Sequence, residues 1–285
     1  MARGRLRWDG QSPGALAFSA MFDLQAYLTR IGLDGRPGLA DVHRAHVTSI
    51  PFENLDPHCG LPVSLALEDL ERKVVVRRRG GYCFEQNLLL KAALEALGAE
   101  VDLLLARVRW GAPPGVTRPR AHLVLRVRAE GACWHADVGF GAGTPLEPLP
   151  FGPGVEHEQA GWLFRVVDEG QEFVLQTAQS DEWVDVYGFP AHPVPFVDLE
   201  TSNWFTSTHP RSPFVSGLIV SSQAADGTRT MLSDWNGLTL TVQTPAGATV
   251  TAVEPAAVPE ILAARFGLPG YTQGPDGHLR APATQ

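Results

Sequence analysis

Cysteine is scarce in this chain: Cys59, Cys83 and Cys133 are the only three in 285 residues, and no two form a Cys-x-x-Cys pair. An odd, unpaired set argues against a disulfide scaffold or a zinc ribbon and fits a reducing cytoplasm with at least one free thiol. Long apolar runs are missing too, and none approaches the roughly 20 residues that a membrane-crossing helix needs. Charge is thin at 19% of residues, and its balance is acidic, with a formal net charge of −8. A nucleic-acid surface is therefore not expected, and any basic site must be local. Repeats and low-complexity blocks are absent as well. Apolar residues are plentiful at 44%, so the chain can bury a sizeable core.

Residues 1–20 carry basic side chains and then a short apolar run, 15–20, which faintly echoes a signal peptide. The run is too short, and Asp9, Gly10, Pro13 and Gly14 interrupt its approach. These residues read as a flexible extension, with the folded body starting near Met21, itself a candidate start of translation. Helical periodicity follows over 22–31, 39–50, 64–76 and 83–97, closed by Gly32, Pro51 and Gly98 at the ends of the first, second and fourth. Residues 50–56 read as a proline-broken turn. After Gly98 the pattern changes to short runs at 101–109, 121–127, 133–138, 163–167, 172–176 and 184–187, an antiparallel sheet curling toward a barrel. A helix near 199–205 follows, then strands at 218–222, 229–232 and 238–242, with a hairpin at Asp226-Gly227. A late helix spans 256–266, and the tail from Gly270 reads as loosely held.

The stretch from Arg77 to Asn87 stands apart: three arginines and two glycines lead into Cys83, which opens the fourth helix. The glycines let backbone come close to whatever binds there. A thiol in the first turn feels the positive end of the helix dipole and several free N–H groups, which favours thiolate over thiol. The alternative is a buried structural cysteine, the commoner fate of a free thiol.

A nucleophilic cysteine needs a base, and the base needs a third group to fix its tautomer. His122 and His135 both fall in strands, with Asp137 just past the second. A loop of two or four residues centred on Ala129-Glu130 sets residue 122 directly opposite 137, on one sheet face; a three-residue loop or a bulge breaks that pairing. His135 shares a face with Asp137 by the two-residue period and competes for the same role. Asp137 has a plainer reading as a strand-end carboxylate bonded within the Gly139–Gly143 turn. That turn is glycine-rich but precedes no helix, so it is not a dinucleotide fingerprint, though its N–H groups suit a phosphate or pantetheine chain. His43 and His46 lie three apart on a helix, while His58 and Cys59 are not spaced as metal partners, so no metal is expected.

These segments resemble the arylamine N-acetyltransferase family. The resemblance rests on Arg79-Gly-Gly-Tyr-Cys-Phe-Glu-Gln-Asn87, Ile50-Pro-Phe-Glu-Asn-Leu55 and Asp137-Val-Gly-Phe-Gly141, together with Tyr27–Ile31 and Ser207–Pro210 followed by Ser212 and Phe214. It implies an α+β fold: an N-terminal helical bundle at 21–99, an antiparallel β-barrel at 100–205 and a C-terminal α/β lid at 206–285, around a cysteine-protease-like Cys-His-Asp core. It implies Cys83 as nucleophile, His122 as base and Asp137 as its orienter, with acetyl-CoA as co-substrate. Transfer would be ping-pong, onto a small arylamine, hydrazine or arylhydroxylamine. Phe52, Val108, Phe140 and Phe214 match acceptor-pocket positions, and Trp110, Gly139 and Gly141 match CoA contacts; Ala121 stands where many relatives carry a hydroxyl. An amide synthase closing a macrolactam and a transglutaminase-like hydrolase would use the same thiol chemistry.

Overall fold

A computed structural model describes residues 22–113, 115–179 and 182–282. The expected extension at 1–20, and Met21, lie outside the described residues. The first third is helical: α1 (Leu24–Arg30), α2 (Leu39–Ser49), α3 (Leu55–His58), α4 (Leu67–Leu70) and α5 (Cys83–Ala96). Asp23 caps α1, its carboxylate accepting the Ala26 N–H at 2.9 Å. Helix α2 stops where Ile50, ahead of Pro51, turns extended. The helix expected over 64–76 starts three residues late because Ser64 Oγ takes the Ala66 N–H in a local turn. Its second half, Glu71–Val76, widens into π-helical turns. Helix α5 is buried on nearly every side, with Phe84, Leu89, Leu90 and Ala93 fully enclosed, and Gly98 (φ +100°) closes it.

Residues 52–53 depart from the expected turn. They form β1 (Phe52–Glu53), an edge strand of a sheet built mostly from the far end of the chain. Two residues carry no readable period, so tertiary pairing, with Ser221 and Val220 on one side and a bridge to Gly81 on the other, makes them a strand.

The middle third is an antiparallel sheet of eight strands curled into a nearly closed barrel. The strands are β2 (Glu100–Val108), β3 (His122–Ala129), β4 (Ala132–Ala136), β5 (Leu149–Pro150), β6 (His157–Gln159), β7 (Trp162–Asp168), β8 (Phe173–Gln179) and β9 (Glu182–Phe189). Their order is β5-β4-β3-β2-β9-β8-β7-β6. Strands β2 and β3 form a wall apolar on both faces. Leu103, Leu105, Leu123 and Leu125 pack with α5 in one core, while Leu104, Ala106 and Val124 join Phe164, Leu175 and Val186 inside the barrel. The hairpin between β3 and β4 turns at Glu130-Gly131, both with positive φ (55° and 75°), one residue later than expected. Two successive positive φ values suit a two-residue turn, and Gly131 supplies the position where a side chain would strain.

Helix α6 (Phe196–Thr208), longer than the expected 199–205, crosses to α7 (Pro213–Ser216). A second sheet of order β1-β10-β11-β12-β13 then follows, from β10 (Ile219–Gln223), β11 (Arg229–Ser233), β12 (Thr239–Thr244) and β13 (Gly247–Ala252). The hairpin at Asp226-Gly227 forms as expected, with Gly227 at φ +84°. Helix α8 (Val258–Phe266) covers this sheet through Val258, Leu262 and Phe266. The tail is not loose as far as residue 282. Leu268 and Tyr271 are buried in the same core, and strands β14 (Thr272–Gln273) and β15 (Leu279–Arg280) pair over them. The apolar side chains spaced among its Gly and Pro residues hold it down.

Candidate active site

Cys83 opens α5 because the chain before it is forced into contact with itself. A Cβ on Gly80 would lie 2.0 Å from the Pro51 carbonyl oxygen, and one on Gly81 would lie 2.8 Å from a Glu85 carboxylate oxygen. The glycine pair is thus required by the chain's own Pro51 and Glu85, where the sequence suggested close approach of a ligand. The Glu85 carboxylate turns back to accept the Tyr82 N–H at 3.0 Å, tying off the helix start. Nor is the Arg79 charge free to reach the thiol. Its guanidinium pairs with Asp56 at 2.6 Å and Glu53 at 2.8 Å, and Arg77 and Arg78 point to solvent.

His122 begins β3 beside that helix start. Its Nε2–H donates to Asp137 Oδ2 at 2.7 Å, and the nearby Cys83 side chain favours its charged form. With Nε2 occupied, Nδ1 is the nitrogen left for sulfur. Cys83, His122 and Asp137 are 2%, 3% and 1% exposed, so their mutual electrostatics are barely screened by water. Burial alone would push the imidazole down. Asp137, and after it Cys83, overcomes this and holds His122 at about 10. Burial likewise works against the Asp137 carboxylate, but His122, Asn87 and the Gly139 N–H hold it well below the usual carboxylate range.

The register that brings the pair together differs from the expected one. Leu125 faces Ala136 and Arg128 faces Cys133, a displacement of two residues from the pairing that would set 122 against 137. Because side chains alternate with a period of two, the displacement leaves both residues on one face, as diagonal neighbours. Asp137 lies just past the end of β4, and its carboxylate reaches His122 across that diagonal.

Three side chains that sequence reasoning did not assign, Asn87, His43 and Tyr187, complete the site. Asn87, one turn along α5 from Cys83, donates to Asp137 Oδ1 at 2.9 Å and the Leu123 carbonyl at 2.8 Å, and accepts the Val138 N–H at 3.0 Å. Its spacing of four from the thiol is the one signal that could have found it. His43 accepts the Asp137 N–H at Nε2 (3.2 Å) and donates from Nδ1 to the Leu146 carbonyl (3.0 Å); burial pushes it down to about 4, so it stays neutral. Tyr187 lies close enough to Asp137 for the carboxylate charge to disfavour its phenolate, and its hydroxyl meets His135 Nε2 at 2.8 Å. Burial pushes His135 down to about 4 as well, and its ring stacks on Phe189 at 4.5 Å, so His135 is a neutral outer residue. Nothing in the sequence ties position 187 to 137; closure of β2 against β9 brings them together.

The other expected residues gather here. Gly139 packs against the helix start so tightly that a Cβ would sit 2.6 Å from Cys83 Cα. Gly141 (φ +82°) lies against the Phe52 ring and Ser221 Oγ. Phe140 stands edge-on to His122 at 5.2 Å and tilts against Trp110 at 6.3 Å. Phe214 meets Tyr82 at 5.7 Å and Phe52 at 6.0 Å, and half-buried Val108 pairs with Tyr187. The Ala121 carbonyl, which needs no side-chain hydroxyl, lies 3.8 Å from Cys83 Sγ as an acceptor. Among the described residues no cluster of three or more His, Cys, Asp or Glu side chains could hold a metal ion.

Residues 37–270 match the family model described as N-acetyltransferase. An arylamine N-acetyltransferase of Mycolicibacterium smegmatis is 45% identical over 207 residues, covering 70% of this chain and 75% of the relative. One from Salmonella typhimurium, named also as an N-hydroxyarylamine O-acetyltransferase, is 34% identical over 218 residues, 75% of this chain and 77% of its own. The solved arylamine N-acetyltransferase of Mycobacterium marinum in complex with CoA superposes with a TM-score of 0.81 at 41% identity, covering 86% of this chain and 92% of that one.

Proposed function

The chain belongs to the arylamine N-acetyltransferase family, and from that premise we propose that Cys83, His122 and Asp137 carry its acetyl transfer. The enzyme takes acetyl-CoA as co-substrate and moves the acetyl group to an arylamine. The observation that supports the residue assignment best is the His122–Asp137 bond of 2.7 Å beside a thiol at the start of a buried helix.

In this reading His122 Nδ1 takes the Cys83 proton, and the imidazolium formed is steadied by Asp137. The sulfur attacks the thioester carbonyl, and the oxyanion that develops is met by the Cys83 N–H, a free donor of the first helical turn. Collapse of that intermediate releases CoA as its thiol, protonated from His122, and leaves acetyl on Cys83. An arylamine is neutral near pH 7 and attacks this acyl-enzyme in turn. His122 removes the amine proton, and the Cys83 thiolate departs. Burial of all three residues excludes the water that would otherwise hydrolyse the intermediate. Phe52, Val108, Phe140 and Phe214 would line the acceptor side, with Trp110, Gly139 and Gly141 against CoA. The spans 21–99, 100–205 and 206–285 serve as the parts that hold nucleophile, base and cover. Three free cysteines suit a cytoplasmic setting, and no described helix is long and apolar enough to cross a membrane.

Acetyl-CoA with aniline, followed by CoA release, tests the reading. Release that depends on the amine, and that Cys83→Ala abolishes, is expected. Turnover only with a carrier-bound acyl thioester would indicate an amide synthase, and turnover of a glutaminyl peptide a hydrolase.

A further inference from the structure

Five of the buried side-chain polar atoms that find no protein partner among the described residues come from one patch of the second sheet. They are Ser221 Oγ, both amide atoms of Gln223, and Nε and Nη2 of Arg229. Ser221 and Gln223 alternate along β10, and Arg229 on β11 stands directly opposite Gln223, so all three project from one face. They are 1%, 5% and 2% exposed. The Arg229 guanidinium lies over Trp162 of the barrel, 3.7 Å from the ring centroid, with Phe164 at 5.9 Å.

Arg229 is thus a buried cation with no carboxylate at ion-pair distance among the described residues. Burial draws it down to about 9, which still leaves it protonated at neutral pH. The indole face attracts it from one side. That attraction is smaller than the cost of burying an unpaired charge and leaves the in-plane N–H groups unanswered. Water could satisfy the N–H groups, but not the charge.

Gln223 and Ser221 also line a cavity of about 10 Å³, shared with Phe52, Gly141 and Thr144, with room for one water-sized particle. That space is too small for a phosphate or carboxylate, whereas the wider cavity of about 310 Å³ that Gln223 also borders is lined by neither Ser221 nor Arg229. We propose that this face of the lid sheet binds a single halide ion, chloride in the cell, held by the Arg229 guanidinium, a Gln223 amide N–H and the Ser221 hydroxyl. Gln223 Oε1 then takes one Arg229 N–H, and every stranded donor has an acceptor. The ion braces the second sheet against the barrel at Trp162. It also braces the Gly139–Gly143 turn, where a Gly141 Cβ would lie 3.0 Å from Ser221 Oγ. It does so without touching Cys83.

Crystals of the unmodified protein grown or soaked in bromide test the site by anomalous scattering. A peak between Arg229 and Gln223 is expected. Bromide found only on the outer surface, or water alone at this position, overturns the proposal. The linkage is read from Tm at constant ionic strength, with gluconate, too large for the cavity, replacing chloride. Each tenfold rise in chloride above its dissociation constant should raise Tm by about 2–4 °C. Arg229→Met, similar in volume and uncharged, should remove that dependence while keeping acetyl transfer. A Tm that follows ionic strength regardless of the anion would contradict the linkage.

Discussion

Asn87 makes three hydrogen bonds around Asp137, and no apolar residue could replace them. Asn87→Ala leaves the Val138 N–H without its acceptor, at a cost of about 1–3 kcal/mol, and leaves Asp137 Oδ1 with the Gly139 N–H alone. Urea unfolding should report that loss, and stopped-flow acetylation of Cys83 should slow by roughly tenfold or more as the carboxylate drifts. Asp137→Asn tests the tautomer. An amide facing Nε2 favours the wrong ring proton, and kcat should fall by roughly a thousandfold or more while the fold persists. The pair also sets a stability window. Asp137, held low, contributes above the ordinary carboxylate range near pH 4, and that contribution is lost as pH falls below it. His122, held at about 10, contributes in full below its ordinary value near 6.5, and this is lost as pH rises through about 10. The stability gap between the unmodified protein and His122→Gln should therefore be widest between about pH 4 and 6.5 and close toward pH 10.

Elements were legible where a local rule governed them. Helix α5 announces itself by its glycine pair, its apolar stripe and Gly98. Strands β2 to β4 announce themselves by short apolar runs between turn residues. The β3–β4 register was misread by two because Gly131, not Glu130, closes the turn, yet His122 and Asp137 stayed on one face, since the error was even. Strand β1 was illegible: two residues carry no period, and its partner lies more than 160 positions away. Tyr187 was illegible for the same reason. Two packing contacts at this scale are open to test. Gly139→Ala would drive a methyl group into Cys83 Cα and shift the start of α5, so acetylation of Cys83 should collapse while circular dichroism changes little. Beneath that helix start, Lys73 serves Glu85 at 2.6 Å and Asp56 at 2.7 Å, and Arg79 serves Asp56 and Glu53, so three carboxylates share two cations. Burial, against the pull of Lys73, pushes Glu85 up to about 7. A raised carboxyl contributes stability below its ordinary range near pH 4.3 and loses it as pH rises through about 7. Thermal melts should show the unmodified protein losing stability relative to Glu85→Gln across that interval.

At the scale of the whole molecule, three bodies meet at one point: α5 brings sulfur, the barrel rim brings imidazole and carboxylate, and the second sheet reaches back to Phe52 and Phe214. That helices precede the barrel was readable from the switch in periodicity after Gly98. The grip of the C-terminus was not, because Gly and Pro mask the buried Leu268 and Tyr271. Tyr271→Ala should accordingly cost about 3–4 kcal/mol in urea unfolding, as for other large core rings. The central claim is that a thiol at the start of α5, activated by His122, carries the acetyl group between two substrates. Intact-mass analysis after mixing with acetyl-CoA in the absence of amine tests it most directly. One acetyl group on Cys83, discharged when aniline is added and absent from His122→Gln on the same timescale, is the expected result. An acetyl group on another residue, or undiminished transfer by Cys83→Ala, would contradict it.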